Sequence, residues 1–382
     1  MELGFLKPLF ARPGPWASVY IETTRATEDG AKVQELRERA IAGQLIDAGA
    51  DAYTTRAVMD RLANEPVSGT PPGRAVFATG AEVVLDLPLT VPPPAGRATW
   101  SLLPHVAPLA GLRGDVPTCL VAYIDRTGAD LELREGHRRA ALGQANGKEW
   151  QGRGHRGTPA DRHEWHYRNK VENTWNETAD VIVDELVRQW PESGADLLIL
   201  TGDPRERRAV HNRLPERVLA VTVEAESGSR SAGASTAGLD REIDQACERF
   251  GQERLRRTLE RFHIGRGKPG QHRESSVDTG PGEAAEGVPA VVDAARKHQM
   301  ATLLLAPDAS DGGRQVWIGP GVDEVAVQRG EARAMGVPKP EQARADDAVL
   351  RAAAAADCDV LLVPEGMRGP AGGLGAVLRW TL

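Results

Sequence analysis

Basic and aromatic side chains are concentrated in one stretch near the middle of the chain, 137–170, which holds eight Lys or Arg against three Asp or Glu. Cationic side chains of this kind bind phosphate groups, and indole rings stack on unpaired bases. The stretch therefore predicts a contact with a nucleic-acid backbone and with single-stranded bases. The side chains expected at this contact are Lys148, Trp150, Arg153, His155, Arg156, Arg162, His163, Trp165, Arg168 and Lys170.

A solvated loop that runs into a frayed helix start would carry the same residue types, and the composition of the stretch leaves that alternative open. Metal binding is a third interpretation, because the spacing of His155, His163 and His166 could place two imidazoles on one helix face. No acidic or cysteine ligand set accompanies these histidines in the sequence, so we predict no metal site.

Motifs for catalysis and for cofactor binding are absent from the sequence. No P-loop pattern occurs, and Gly372, Gly373 and Gly375 do not follow a strand and open a long helix, as a dinucleotide fingerprint requires. Asp125 begins a turn, 125–128, and an aspartate in this position usually has a structural role. No Ser/His/Asp set can be recognised from sequence separations. We therefore predict no catalytic residue and no cofactor.

Two elements must position the basic residues. The first is a glycine-rich loop that begins near Gln144, and the second is a helix over 158–190 that starts at Thr158, Pro159 and Asp161. The C-terminal half of this helix has an apolar stripe, which predicts that it packs on a domain while its basic start projects from it. The stripe consists of Trp175, Ala179, Ile182, Val183, Leu186 and Trp190.

The remaining pattern predicts an α/β protein of three domains. Residues 1–115 form a mixed α/β domain, 116–266 a layered α/β domain with the basic loop and long helix, and 288–382 an αβα sandwich. A Gly- and Pro-rich linker, 267–287, separates the last two domains. In the middle domain we expect strands at 118–124, 129–134, 195–201 and 217–223, a polar linker at 224–238 and a helix at 240–262.

Composition excludes several classes of protein. No apolar run is long enough to cross a bilayer, and the N-terminus lacks the pattern of a secretory signal, so we expect a cytoplasmic protein without a membrane partner. Cys119 and Cys358 lie in apolar, strand-like runs, which predicts buried thiols. The three cysteines, with Cys247, are far apart in the sequence and support neither a zinc site nor a disulfide framework. The net charge of −7 argues against binding nucleic acid over the whole surface.

Several motifs, taken in order, resemble the bacterial branch of the archaeo-eukaryotic class-1 release factor and Pelota family. They are GPWASVYIET at 14–23, VPTCLVAYIDRTGADLELREG at 116–136, ADLLILTGD at 195–203 and GGLGAVLRW at 372–380. The basic loop that feeds a long helix is a further point of likeness. Within the family, the sequence is most similar to the actinobacterial group that includes relatives of the ribosome hibernation factor Balon. The resemblance implies an RNase H-like fold for the middle domain.

The sequence departs from the family in the loop that carries Gly-Gly-Gln in release factors. That motif positions water against the peptidyl-tRNA ester, and it does not occur in this chain. Gly143-Gln144 precedes the basic region and is not a convincing substitute. The resemblance therefore implies a protein that binds the ribosome, contacts ribosomal RNA of the A site and the peptidyl transferase centre, and does not hydrolyse peptidyl-tRNA. It also implies the elongation factor EF-Tu as a partner.

Three functions follow from these observations. The first is a non-enzymatic factor that occupies the ribosomal A site during dormancy. The alternative is a peptidyl-tRNA hydrolase, release factor or rescue factor with a diverged loop that uses Gln144. The third is an interaction protein, for which the segment after Gln271 supplies an acidic domain with a charge of about −5.

Overall fold

The computed structural model describes nine stretches of the chain. These are 3–24, 30–64, 72–113, 116–136, 138–147, 160–230, 236–266, 284–307 and 309–379, with the side chains of 30–31 and 160–176 outside the description. The chain divides into two compact units. Unit 1 is Met1–Asp115 together with Arg254–Leu382, and unit 2 is Val116–Glu253. The predicted division into three domains stays a prediction.

The N-terminal segment of unit 1 is a four-stranded antiparallel sheet, ordered β3-β2-β1-β4, with helices on it. β1 is buried along almost its whole length because the sheet is covered on both faces. Val19 and Ile21 pack on α2 and α3, whereas Trp16 and Tyr20 face a second core. The elements are α1 Lys7–Phe10, β1 Trp16–Glu22, α2 Gly30–Asp47, α3 Ala52–Ala63, β2 Gly73–Thr79, β3 Glu82–Leu89, β4 Arg97–Ser101 and α4 Ala107–Leu112.

Unit 2 is a five-stranded sheet, ordered β7-β6-β5-β8-β9, with helices on both faces. β5 pairs antiparallel with β6 and parallel with β8. Alternate residues of β5 face opposite sides: Leu120 packs with α5 and α6, and Val121 packs with α8. The elements are β5 Cys119–Asp125, β6 Gly128–Glu135, β7 Arg138–Asn146, α5 Ala160–Ser193, β8 Leu197–Gly202, α6 Pro204–His211, α7 Glu216–Leu219, β9 Thr222–Glu224 and α8 Ala237–Gly265. The residues of α8 from Arg254 onwards belong to unit 1.

The C-terminal segment of unit 1 has a mixed sheet, β10-β16-β11-β15, and a three-stranded antiparallel sheet, β13-β12-β14. β16 separates β10 from β11 and runs antiparallel to both. The elements are β10 Ala284–Glu286, α9 Gly287–Arg296, β11 Met300–Leu305, β12 Gln315–Ile318, β13 Val325–Ala326, α10 Arg329–Ala334, β14 Glu341–Arg344, α11 Ala345–Ala355, β15 Asp359–Leu362 and β16 Leu374–Leu378.

The mixed α/β class predicted from the sequence is confirmed, and so is the long helix, which the structure gives as α5. Of its predicted apolar stripe, Ala179, Ile182 and Leu186 are buried, and Val183 and Trp190 pack against the same core. The side chain of Trp175 lies outside the described residues. None of the helices that the structure describes is both long enough and apolar enough to cross a membrane.

Two expectations about local structure were wrong, and two predicted linkers are described only in part. The predicted strand 217–223 is the short helix α7 followed by β9, because its alternating pattern is also compatible with one helical turn. Gln144 was expected in a loop but lies in β7. The polar linker 224–238 supplies the ordered side chain of Arg230 and, from Ala237, the first residues of α8. Most of the predicted linker 267–287 lies outside the described residues, and its end forms β10.

Backbone conformation explains the glycines that resemble part of a dinucleotide fingerprint. Gly372 and Gly373 adopt φ angles of 72° and 83°, which glycine tolerates best, just before β16. A Cβ on Gly373 would lie 2.1 Å from the Cβ of Ala309. The chain therefore needs glycine here to turn into a strand, and no helix follows, as a dinucleotide site would require.

A buried polar contact joins the two segments of unit 1. His105 Nδ1 lies 2.9 Å from Asp347 Oδ2, and the Val106 N–H donates to Asp347 Oδ1 at 3.0 Å. Ser18 Oγ accepts the His105 N–H at 2.9 Å, and the Tyr20 hydroxyl donates to the His105 carbonyl at 2.7 Å. His105 and Asp347 are only 3% and 1% exposed, so the partners of each cannot be replaced by water.

We expect Asp347→Ala to lower the free energy of unfolding by about 3 kcal/mol, because it leaves His105 Nδ1 and the Val106 N–H without an acceptor in the core. Denaturation by urea and hydrogen exchange at the Val106 amide measure the effect. Lys7→Ala is the control, because Lys7 and Asp357 form a solvent-exposed ion pair between the same two segments. Equal stability of the two variants would show that the buried contact has no special role.

Candidate functional site

The basic loop is held between the end of β7 and the start of α5. Asn146 is the last residue of β7 and pairs with Gly128, and the Gly147 N–H donates to the Thr127 carbonyl at 2.8 Å. A Cβ on Gly147 would lie 2.4 Å from Thr178 Oγ1 of α5. The first end of the loop is therefore fixed against the β5–β6 turn, with α5 in close contact.

Arg230 connects that turn to the end of β7. Its guanidinium lies 3.0 Å from Asp125 Oδ1, 2.9 Å from Asp130 Oδ1 and 2.8 Å from Thr127 Oγ1. It also donates to Asn146 Oδ1 at 3.2 Å. The side chain is 14% exposed, so these contacts are shielded from water and fix the position of the β7 end.

Asp125 is a structural carboxylate, as its turn position predicts. Its Oδ1 accepts the Thr127 N–H at 2.7 Å and the Gly128 N–H at 3.1 Å, besides the contact with Arg230. Burial disfavours the charged form, but the hydrogen bonds from Thr127 and Arg230 outweigh burial and hold the pKa of Asp125 below its ordinary value. The charged form of Asp125 therefore stabilises the folded turn.

A second ion-pair cluster attaches α8 to β6. Arg134 Nη1 donates to Asp240 Oδ1 of α8 at 2.6 Å, and Nη2 donates to the Tyr123 hydroxyl at 2.5 Å. Burial opposes the charge of Arg134, but the bond to Asp240 and the other partners outweigh burial and raise the pKa of Arg134. Arg139 of β7 contacts the same carboxylate at 2.9 Å. Thus β6, β7 and α8 share one charged contact.

A cavity of about 370 Å³ opens between these two clusters. Its polar walls include Asp130 and Arg230, which pair with each other, and Tyr123, which accepts from Arg134. We interpret this cavity as part of the rigid base of the loop, because its charged groups are already used in structural contacts. It is lined by Tyr123, Asp130, Leu131, Glu132, Ala141, Gly143, Gln144, Ser229 and Arg230.

Gln144 lies on the wall of this cavity as part of a strand. Its backbone is in register with Asp130 of β6, and its side chain is exposed. The glutamine of a Gly-Gly-Gln motif needs backbone freedom at a loop, which strand pairing removes. This geometry does not favour Gln144 as a hydrolytic residue.

The predicted contact residues lie outside the part of the chain that the structure describes. Lys148, Trp150, Arg153, His155 and Arg156 belong to the undescribed stretch 148–159. The helix backbone of α5 is described at Arg162, His163, Trp165, Arg168 and Lys170, but the side chains are not. The assignment of these residues to nucleic-acid contact stays a prediction. Sequence analysis missed Arg230, because one arginine in a Gly- and Ser-rich segment gives no signal of its partners.

One group of side chains in unit 1 has the composition of a metal site. Ligand atoms of His105, Asp346 and Asp347 lie within 4.8 Å of one another and are buried. These atoms are already engaged: Asp347 binds His105 and Val106, and Asp346 Oδ2 lies 2.5 Å from Arg344 Nη2. A guanidinium beside the carboxylates supplies the positive charge that a metal ion would bring. The residues therefore serve the core and do not fit a metal site.

Comparison with known proteins identifies a family to which the middle of this chain is similar. Residues 118–268 match the model of a family described as Bacterial archaeo-eukaryotic release factor family 2. The match covers unit 2, including the loop base, and confirms the family resemblance drawn from the sequence. Unit 2 is therefore similar to the release-factor-like proteins of the bacterial branch. Its closer likeness to the Balon group stays a prediction.

Relatives of known sequence extend over almost the whole chain. Two Mycobacterium tuberculosis proteins, Uncharacterized protein MT2704 of strain CDC 1551 / Oshkosh and Uncharacterized protein Rv2629 of strain ATCC 25618 / H37Rv, are each 27% identical over 393 residues. The alignment covers 98% of this chain and 96% of each relative. Their names assign no activity.

A solved structure of S. cerevisiae Dom34, a translation termination-like factor, is similar with a TM-score of 0.38 and 10% identity. The similarity covers 81% of this chain and 80% of Dom34. A likeness this distant carries no conclusion about function.

We expect the stabilising effect of Asp125 to disappear in acid. Because its folded-state pKa is lowered, its contribution is present above the pKa of an unfolded aspartate, about 3.9, and is lost as the pH falls through the folded value. The Tm difference between the wild type and Asp125→Asn should therefore be constant above about pH 5 and shrink as the pH falls below about 3.9. Asp184→Asn, at an exposed position of α5, controls for the loss of one carboxylate. A difference that is constant with pH would contradict the assignment.

Proposed function

We propose that this protein is a non-enzymatic, ribosome-binding translation factor that occupies the A site during dormancy. The observation that carries the proposal is the base of the basic loop: a release-factor-like unit carries this loop, yet Gln144, the glutamine at the start of the stretch, is paired in β7. The sequence has no Gly-Gly-Gln motif. The protein would thus occupy the place where release factors act without supplying their hydrolytic group.

In this proposal, the basic loop and the start of α5 contact ribosomal RNA near the peptidyl transferase centre. Lysine and arginine side chains there bind phosphates, and Trp150 and Trp165 stack on unpaired bases. Phosphate contacts give affinity that falls as salt rises and give little base specificity. EF-Tu is the proposed delivery partner, by resemblance to family members that work with a translational GTPase, and the cytoplasm is the proposed location.

We expect the basic loop to be required for binding to ribosomes. The variant Lys148→Ala, Arg153→Ala, Arg156→Ala, Arg162→Ala should bind ribosomes at least about tenfold more weakly than the wild type at low salt, because it loses several phosphate contacts. Its affinity should also depend less steeply on salt concentration. Co-sedimentation with purified ribosomes over a series of salt concentrations measures both quantities.

The matched control removes four positive charges elsewhere. The variant Arg217→Ala, Arg241→Ala, Arg249→Ala, Arg261→Ala changes exposed positions outside the loop and has the same net charge. It should bind like the wild type. Equal weakening in both variants would show that only overall charge matters, and failure of the wild type to bind ribosomes at low salt would overturn the proposal.

We expect no release of peptide from ribosomes that carry labelled peptidyl-tRNA. A hydrolytic residue must approach the ester, and strand pairing fixes the backbone of Gln144 in β7. Single-turnover release assays with the wild type and Gln144→Ala test the alternative function. Release by the wild type that is lost in Gln144→Ala would establish a peptidyl-tRNA hydrolase with a diverged site.

A further inference from the structure

Two cysteines that are far apart in the sequence are neighbours in unit 2. Cys119 is the first residue of β5, and Cys247 lies on α8, 128 positions later. Their sulfur atoms are 3.3 Å apart, and both residues are free thiols. A disulfide has a sulfur–sulfur distance of about 2.05 Å, so a closing movement of little more than 1 Å would join them. Sequence spacing had given no indication of this pair.

The contact is fixed by packing and does not depend on two mobile surface side chains. Leu239, Ile243 and Ala246 of α8 are buried against Val121 and Ile199 of the sheet. Cys247 follows Ile243 by four residues, so it lies on the same face of the helix. The core that holds α8 on the sheet therefore also holds the Cys247 thiol beside Cys119.

The two thiols have different surroundings, and this sets the order in which they would react. Cys119 is 1% exposed, whereas Cys247 is only partly buried and is the one that a small oxidant reaches first. The hydrogen bond between the sulfurs lowers the pKa of Cys247, and the same bond together with burial raises the pKa of Cys119. A thiolate at Cys247 is therefore the nucleophile, with Cys119 as the second thiol.

We propose that Cys119 and Cys247 form a reversible redox site, at which a peroxide converts the dithiol to an intramolecular disulfide. The Cys247 thiolate attacks one oxygen of hydrogen peroxide and the O–O bond breaks, which gives a sulfenic acid on Cys247. The other oxygen leaves as hydroxide and takes up a proton to become water. The Cys119 sulfur then attacks the Cys247 sulfur, its proton is lost, and the hydroxyl of the sulfenic acid leaves as a second water. The sulfurs together lose two electrons, and the peroxide gains them.

The disulfide would attach α8 covalently to the first strand of unit 2. In the reduced protein, α8 is held to the sheet by the apolar core and by the bond from Arg134 to Asp240. A covalent link between residues so distant in sequence restricts the unfolded chain, so the oxidised form should unfold at a higher temperature. This inference is independent of ribosome binding.

The third cysteine provides an internal reference. Cys358 lies in unit 1, just before β15, and burial raises its pKa to about 12. It is 1% exposed, so it should react slowly with oxidants and with alkylating reagents in the folded protein.

The test uses the full chain, reduced, freed of reductant and then treated with hydrogen peroxide. Intact-mass measurement should show a loss of about 2 Da, the two hydrogen atoms removed on disulfide formation, and dithiothreitol should reverse it. Digestion without reduction should yield one cross-linked pair of peptides that contain Cys119 and Cys247. The wild-type result stands whether or not any variant folds.

Two variants sharpen the test. Cys247→Ser should abolish the mass loss and slow consumption of peroxide about tenfold or more, whereas Cys358→Ser should react like the wild type. Three results would overturn the proposal: oxygen added to Cys247 while Cys119 stays a thiol, a disulfide that includes Cys358 or a second chain, or full retention of both thiols.

Discussion

The buried contact between His105 and Asp347 is the constraint on which unit 1 depends. Neither side chain has water as an alternative partner, so the N-terminal and C-terminal segments must meet for either to be satisfied. Their shared core extends this demand, because Trp16 and Tyr20 from one segment pack in the same cluster as Val349 and Ala352 from the other. The hydrogen bonds of the buried polar groups and the burial of the apolar side chains therefore both require the two segments to pack together.

In unit 2, polar contacts between distant residues fix the end of an edge strand. β5 is buried on both faces, which makes it the rigid centre of the sheet, while β7 at the sheet edge is mostly exposed and leads into the basic loop. Arg230 and the 125–128 turn join the edge to the centre. These contacts therefore fix the end of β7, from which the basic loop starts.

Sequence reasoning succeeded where burial produces a strong apolar pattern. The near-continuous run of Leu197 to Leu200 and the helical stripe around Ile182 each predicted their elements well. It failed at β7, whose exposed edge position removes the alternation that identifies a strand. It also could not find partnerships between distant residues: Arg230 with Asp125, His105 with Asp347 and Cys119 with Cys247 each join positions at least 105 apart. The predicted contact residues of the loop remain a prediction from composition.

The discontinuity of unit 1 has a consequence for synthesis of the chain. A nascent chain emerges from its N-terminus, so Trp16 and Tyr20 exist long before Val349 and Ala352, which share their core. Unit 2, Val116–Glu253, is complete while the second segment of unit 1 is still unmade. Unit 2 can therefore fold during translation, whereas the core shared by the two segments of unit 1 forms only after the C-terminal segment is made. Until then, the apolar residues of the N-terminal segment that belong to this core are exposed to chaperones.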